Sequence, residues 1–207
     1  MTLGPGYGET PLGFDELDAL LPSVRNMLGE PVTKAAVYEI EQAYEEEVRA
    51  ALAPAAGNGD LPVEELLTTA TLRDLHARLY ENVWTWAGAL RTREVSIGVA
   101  PEQVAIELHA SLGNLAWRWQ HTPWTARELA MAVHAEAVRI HPFVDGNGRS
   151  TRLLADLVLL AARDDDDLPA VFDWAVDKVA YIQALRQYDQ TRDSTELAAL
   201  VGLTLID

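Results

Sequence analysis

Apolar residues recur at helical spacing through most of this 207-residue chain, and the breaks between the stripes mark its elements. Residues 1–32 are rich in Gly and Pro, with one short amphipathic piece around Phe14, Leu17, Leu20 and Leu21, and read as an arm laid over the body. Thr33 is a suitable N-cap, and Val37, Ile40, Ala43, Tyr44, Val48 and Leu52 then predict a long helix ending before Pro54-Ala55-Ala56-Gly57-Asn58-Gly59. Further helices are expected from Thr71 (Leu72, Leu75, Leu79 and Val83 inward) and from Pro101 (Val104, Leu108, Leu112, Leu115 and Trp119 inward). Another carries Leu129, Ala132, Val133, Ala137 and Ile140, and stops at His141 because Pro142 disfavours a helical residue before it. Leu153, Leu154, Leu157, Val158 and Leu160 resume the period, and two more helices close the chain between Val171 and Leu200. Helical periodicity fails at Arg91-Thr92-Arg93-Glu94-Val95-Ser96-Ile97-Gly98, where polar and β-branched residues alternate as in a short hairpin. The expectation is an all-α bundle with one short β-hairpin, residues 1–59 packing as arm and helix on a domain of residues 60–207.

The loop between the fifth and sixth of these stripes carries the chemistry. It reads His141-Pro142-Phe143-Val144-Asp145-Gly146-Asn147-Gly148-Arg149-Ser150-Thr151-Arg152. Gly146, Asn147 and Gly148 can turn successive N–H groups into one concavity at the start of a helix, which suits a phosphate. Arg149 and Arg152, three apart in the first turn, share a helix face from which two guanidinium groups can grip further phosphate oxygens. Cations there oppose the helix dipole, so an anion is wanted. Asp145 is a hard oxygen ligand able to hold a magnesium ion that bridges phosphates, and His141 can take up a proton near neutral pH. These are the parts of a phosphoryl- or nucleotidyl-transfer site.

Bulk properties narrow the partners. With 32 acidic against 16 basic residues the net charge is −16, so the chain lacks the basic field that nucleic acid or an anionic membrane requires. The longest apolar run, residues 157–162, is too short to span a bilayer, and Met1-Thr2-Leu3-Gly4-Pro5 does not resemble a secretory signal. The cysteine count is 0, which removes disulfides and thiolate sites, and a cytoplasmic location is the expectation. His76, His109 and His121 have no companion ligands at metal spacing. His134 stands about two turns, roughly 10 Å, before His141, too far to share one ion. Trp117, Trp119 and Trp124 read as packing anchors. The acidic run from Asp164 to Asp167, and Glu39, Glu41, Glu45, Glu46 and Glu47 on the long helix, read as solvated faces.

The loop resembles, position for position, the signature of the Fic family, His-Pro-Phe-x-Asp/Glu-Gly-Asn-Gly-Arg-x-x-Arg. Trp84-Thr85-Trp86-Ala87-Gly88 is similar to the segment that commonly precedes the family's flap, and the opening Glu9-Thr10-Pro11-Leu12 resembles the subgroup called mobile mystery protein B. The resemblance implies a Fic-type helical bundle and transfer of AMP from ATP to a Ser, Thr or Tyr hydroxyl of a target protein. By position, His141 would deprotonate the hydroxyl and Asp145 would hold Mg2+ against the α- and β-phosphates. Gly146, Asn147 and Gly148 would cradle the phosphates, Arg149 would support the β-phosphate and Arg152 the γ-phosphate. The flap from Arg91 to Gly98 would dock the target. Relatives that transfer a γ-phosphoryl group instead carry Ala at the place of Gly146 and Lys at that of Gly148, so nucleotide transfer is favoured over a Fic-type kinase, with transfer from UTP or another nucleotide-bearing diphosphate as a further alternative. A non-catalytic interaction module is the third reading. Many relatives are held off by a helix bearing Ser/Thr-x-x-x-Glu-Gly/Asn, which this chain lacks. Inhibition would then come from an antitoxin-like chain, as in a toxin-antitoxin pair, or from Glu39 or Glu41, or be absent.

Overall fold

A computed structural model describes residues 11–164 and 166–206. Glu9 and Thr10 of the subgroup resemblance, the opening Met1 to Pro5, and Asp165 of the acidic run lie outside the described residues. The helices are α1 (Phe14–Ala19), α2 (Pro22–Leu28), α3 (Lys34–Gly57), α4 (Val63–Leu66), α5 (Thr69–Tyr80), α6 (Val104–His121), α7 (Ala126–Ile140), α8 (Asn147–Ala162), α9 (Lys178–Thr191) and α10 (Thr195–Leu200). Strands β1 (Ala170–Asp173) and β2 (Gly202–Leu205) form an antiparallel two-stranded sheet with Ala170 opposite Leu205 and Asp173 opposite Gly202. The protein is an all-α bundle with one small sheet.

The helix α8 is apolar nearly all round, burying Leu153, Leu154, Leu157, Val158 and Leu160 together with Ala155 and Leu159, and so takes the centre of the molecule. Its main neighbour is α7, whose buried Ala130, Ala132, Ala135 and Ala137 keep the interface thin. The helices α3, α4 and α5 pack on α8, while α6, α9 and α10 cover α7. A buried ion pair fastens α3 to the centre: Arg49 reaches Asp156 at 2.6 Å, and the other Asp156 oxygen accepts the Phe172 N–H at 3.1 Å and the Trp174 indole at 3.3 Å, which brings β1 to the same post. The arm lies over the body through Leu12, Leu20, Val24 and Val32, all buried, with Leu12 N–H bonded to Val32 and Leu21 N–H to Val83.

Several elements depart from the sequence pattern. Helix α3 runs on past Pro54 to Gly57, because the proline faces solvent and Ala56, 1% exposed, anchors the last turn. The sheet is built from residues 170–173 and 202–205, not from 91–98. Four-residue strands are too short to declare a period, and their pairing spans thirty residues of chain. Residues 91–98 form an irregular loop without a ladder, and its base is tied to the loop after α7: Arg91 N–H bonds Pro142 at 2.9 Å and Val99 N–H bonds Ile140 at 3.3 Å. Trp117 is 57% exposed and stacks on His121, and Phe14 is 80% exposed, so neither anchors the core. Among the described residues no helix is long and apolar enough to cross a membrane.

Candidate active site

The segment from His141 to Gly146 is held from four sides. Helix α7 starts at a capping box between Thr125 and Glu128 and ends at His141, whose φ of 55° is left-handed. Asn147 closes the loop from within: its Oδ1 accepts the Phe143 N–H and its Nδ2 donates to the Phe143 carbonyl, both at 2.9 Å. Phe143 stacks on the imidazole of His76 with ring centres 3.6 Å apart. The Gly88 N–H donates to His76 Nδ1 at 2.9 Å, which fixes the tautomer so that Nε2–H donates to the Asp145 carbonyl at 3.0 Å. Burial lowers the His76 pKa to about 4, so this bridge is neutral at pH 7. Gly146, at φ 73°, lies against the Tyr80 ring, where a Cβ would meet Tyr80 Cε2 at 2.5 Å.

These supports open a cleft of about 690 Å³ lined by His141, Asp145, Gly146, Asn147, Gly148, Arg149 and Arg152, with Tyr38, Gln42, Glu45, Glu46 and Arg49 of α3 on the facing wall. The first intrahelical bond of α8 runs from Ser150 N–H to Gly146, so the N–H groups of Asn147, Gly148 and Arg149 have no partner within the helix. They are the donors an anion would meet, and the α8 dipole adds to them. His141 Nδ1 is buried and makes no hydrogen bond of good geometry among the described residues, which leaves Nε2 as the nitrogen able to serve the cleft. Burial, and after it the nearby Arg91 cation, hold the His141 pKa below its usual value, against the opposing pull of the Val138 carbonyl and Asp145. The imidazole is therefore neutral at pH 7 and free to accept a proton.

The two arginines differ. Arg149 donates to Glu41 at 2.5 Å and sits over the Tyr80 ring at 5.0 Å. Burial disfavours its charge, but the Glu41 carboxylate more than compensates and keeps it protonated. Arg152 makes no ion pair among the described residues; Trp174 lies 6.0 Å from its guanidinium carbon. Asp145 is exposed, and one of its oxygens accepts the Gly146 N–H at 2.6 Å. Among the described residues no group of three His, Cys, Asp or Glu could cage a metal ion. A lone, exposed carboxylate beside an anion cradle fits a magnesium that arrives with phosphate oxygens of its own.

Several side chains sit other than as the sequence suggested. Asn147 is 2% exposed and spends its amide on Phe143, so only its backbone faces an anion. Arg91 is 2% exposed and cannot itself meet a docking partner. Glu41 is not on a solvated face: it is 2% exposed and also accepts the Trp84 indole at 2.6 Å. Its sequence signal was available, for Glu41 falls four residues after Val37 and seven before Val48, inside the apolar stripe of α3. His76 likewise follows Leu72 by four within the stripe of α5. Glu39 is exposed and borders a different groove, with Met27 and Tyr44.

The Fic/DOC family model matches residues 66–159, from α4 through most of α8. A Fido domain-containing protein of Dictyostelium discoideum is 40% identical over 76 residues, 35% of this chain and 50% of that protein. The protein adenylyltransferase fic-1 of Caenorhabditis briggsae is 34% identical over 96 residues, 42% of this chain and 18% of that protein. The chain thus spans half the length of the first relative and under a fifth of the second. Among solved structures, the N-terminal Fic domain of a VirB-translocated Bep effector protein from Bartonella quintana superposes with a TM-score of 0.61 at 18% identity, covering 84% of this chain and 85% of that one. The BepC protein of Bartonella tribocorum, solved with bound AMPPNP, gives 0.59 at 17% identity, covering 83% and 89%. At such identity the likeness is one of fold. Family match, loop and fold agree: residues 66–159 of this chain carry a Fic/DOC family domain.

Proposed function

We propose that the cleft binds ATP with Mg2+ and that the protein transfers AMP to a Ser, Thr or Tyr hydroxyl of a target protein. The observation that carries the reading is the meeting, in one cleft, of a neutral histidine, a set of helix N-terminal N–H groups with no partner within the helix, the two arginines of α8 and the exposed Asp145 carboxylate. His141 Nε2 takes the hydroxyl proton while that oxygen attacks the α-phosphorus; the bond from Pα to the bridging oxygen breaks and pyrophosphate leaves. Asp145 would hold Mg2+, which offsets charge on the phosphates. The N–H groups of residues 147–149 and the Arg152 guanidinium bind the phosphate oxygens. Adenylyl transfer by the fic-1 relatives and AMPPNP in BepC support the choice of nucleotide.

The reading includes a brake. Glu41 occupies Arg149, and Glu45 and Glu46 add negative charge to the wall facing the phosphates. Nucleotide binding must displace or tolerate these carboxylates, so inhibition by α3, or by an antitoxin-like chain that holds α3 in place, belongs to the proposal. The target is taken to dock on the exposed part of the flap, Thr92, Arg93, Glu94, Ser96 and Ile97. The test is incubation of the protein and candidate targets with ATP labelled at either the α- or the γ-phosphate. Label retained on protein from the α-position alone supports adenylyl transfer. Label from the γ-position alone identifies a kinase, and retention of neither in the presence of tight ATP binding favours the interaction module.

A further inference from the structure

Arg91 is the least expected residue of the site. Its guanidinium is buried, yet among the described residues no carboxylate pairs with it. All of its bonds go to main-chain carbonyls: Nε to His141 at 2.6 Å, Nη2 to Ile140 at 3.3 Å and to Val99, and Nη1 to Arg93 at 3.2 Å. A buried cation without a counter-charge is costly unless dipoles replace water. Here the carbonyls at the C-terminal, negative end of α7 do so, together with those of the flap base.

The same few ångströms hold two further constraints. His141 is left-handed at φ 55°, a conformation that a residue with a Cβ adopts only when its surroundings hold it. Gly98, at φ 111°, packs so closely that a Cβ there would lie 2.7 Å from His141 Cβ, 2.8 Å from Arg91 Nη2 and 2.9 Å from the Ile140 carbonyl. Backbone bonds from Arg91 N–H to Pro142 and from Val99 N–H to Ile140 bracket the contact. Helix end, flap base and guanidinium therefore form one knot. The backbone conformation of His141 sets where its imidazole points, and the guanidinium fork is the only side chain bonded to the His141 carbonyl among the described residues.

We infer that Arg91 is a positioning residue for His141: by clamping the carbonyls of Ile140 and His141 to those of Arg93 and Val99, it fixes the aim of the base and couples it to the flap. Lysine cannot substitute, because one ammonium lacks the fork needed to serve carbonyls on two segments. The kinetic part of the test rests on the adenylyl-transfer reading; the hydrogen-exchange part does not.

The experiment compares Arg91→Lys and Arg91→Ala with Arg73→Ala, which removes an exposed bond to the Gly88 carbonyl outside the knot. Melting temperature, affinity for AMPPNP with Mg2+ by calorimetry, AMP-transfer kinetics and amide exchange are measured for each. The expected result is that Arg91→Lys keeps most of the melting temperature and nucleotide affinity but loses kcat on the order of 100-fold, as misplacement of a reacting group does. Arg73→Ala stays near wild type. In Arg91→Lys the amides of Val99 and His141 exchange faster together, while those in the middle of α7 stay protected. If turnover returns with the melting temperature in the Lys variant, or nucleotide affinity falls in step with turnover, Arg91 only holds the fold and the inference is wrong. If the wild-type protein transfers nothing, exchange alone decides: joint acceleration of the two amides upholds the coupling, and acceleration of one alone overturns it.

Discussion

Gly146 has a Tyr80 ring atom where its Cβ would stand and a backbone angle that side chains resist, so Gly146→Ala meets both penalties at once. A cost of about 1–3 kcal/mol is expected from the strained backbone alone, read as a fall in melting temperature, with loss of AMPPNP binding as the loop shifts. His76 makes the loop sensitive to acid. Its folded pKa of about 4 lies below the unfolded value of 6.5, so the stability due to neutral His76 is fully present above 6.5 and is lost as pH falls toward 4. The loss amounts to about 3 kcal/mol by linkage, and buried His134, its pKa lowered likewise, adds in the same direction. Thermal melts between pH 7.5 and 4 should therefore steepen for wild type and flatten for His76→Gln; equal slopes would show that His76 does not carry the effect. His141, Asp145, Arg149 and Arg152 were legible in the sequence because their arrangement is local, fixed by a turn and the first turns of one helix. The clamp by Asn147 was not, since a spacing of four does not say whether an amide faces an anion or turns back on Phe143.

At the scale of elements, the decisive contact is α3 on α8. Glu41→Gln keeps an acceptor for the Trp84 indole and removes the charge that occupies Arg149. It should raise affinity for ATP with Mg2+ by about ten-fold, roughly 1.4 kcal/mol, as measured by calorimetry; unchanged or weaker binding would show that Glu41 is no brake. The existence of α3 and of α5 to α10 followed from periodicity, and the end of α7 and the start of α8 from Pro142 and the glycines, whereas Val171, read as helical, lies in β1. What sequence alone could not supply was the partner of each face. Glu41 meets Arg149 across 108 residues, and β1 finds β2 across two intervening helices, distances over which no local pattern carries information. The extended-looking segment at 91–98 misled for a related reason: its alternation serves a loop pinned at both ends by the motif, not a ladder.

Across the whole molecule the net charge is −16, and the cleft where the proposed anionic nucleotide would settle is the place that brings Arg49, Arg149 and Arg152 together. Helix α3 belongs to that site as much as the matched family core does. It supplies one wall of the cleft, the Glu41 contact and the Arg49 partner of buried Asp156. A chain starting at residue 60 would leave Asp156 an unpaired buried charge, a loss of about 3–5 kcal/mol before any lost apolar cover is counted. Such a chain should show no cooperative thermal transition; a sharp melt near that of the full chain would contradict this account of the architecture. The central claim, that His141 serves an adenylyl-transfer cleft, is tested most directly by intact-mass spectrometry after incubation with ATP, Mg2+ and a cell lysate, with Glu41→Gln and Glu41→Gln/His141→Ala proteins side by side. The account predicts a gain of one AMP on the protein itself or on a lysate protein, present with Glu41→Gln and absent when His141 is also replaced. A gain of phosphate mass, or an AMP gain that survives the loss of His141, would contradict it.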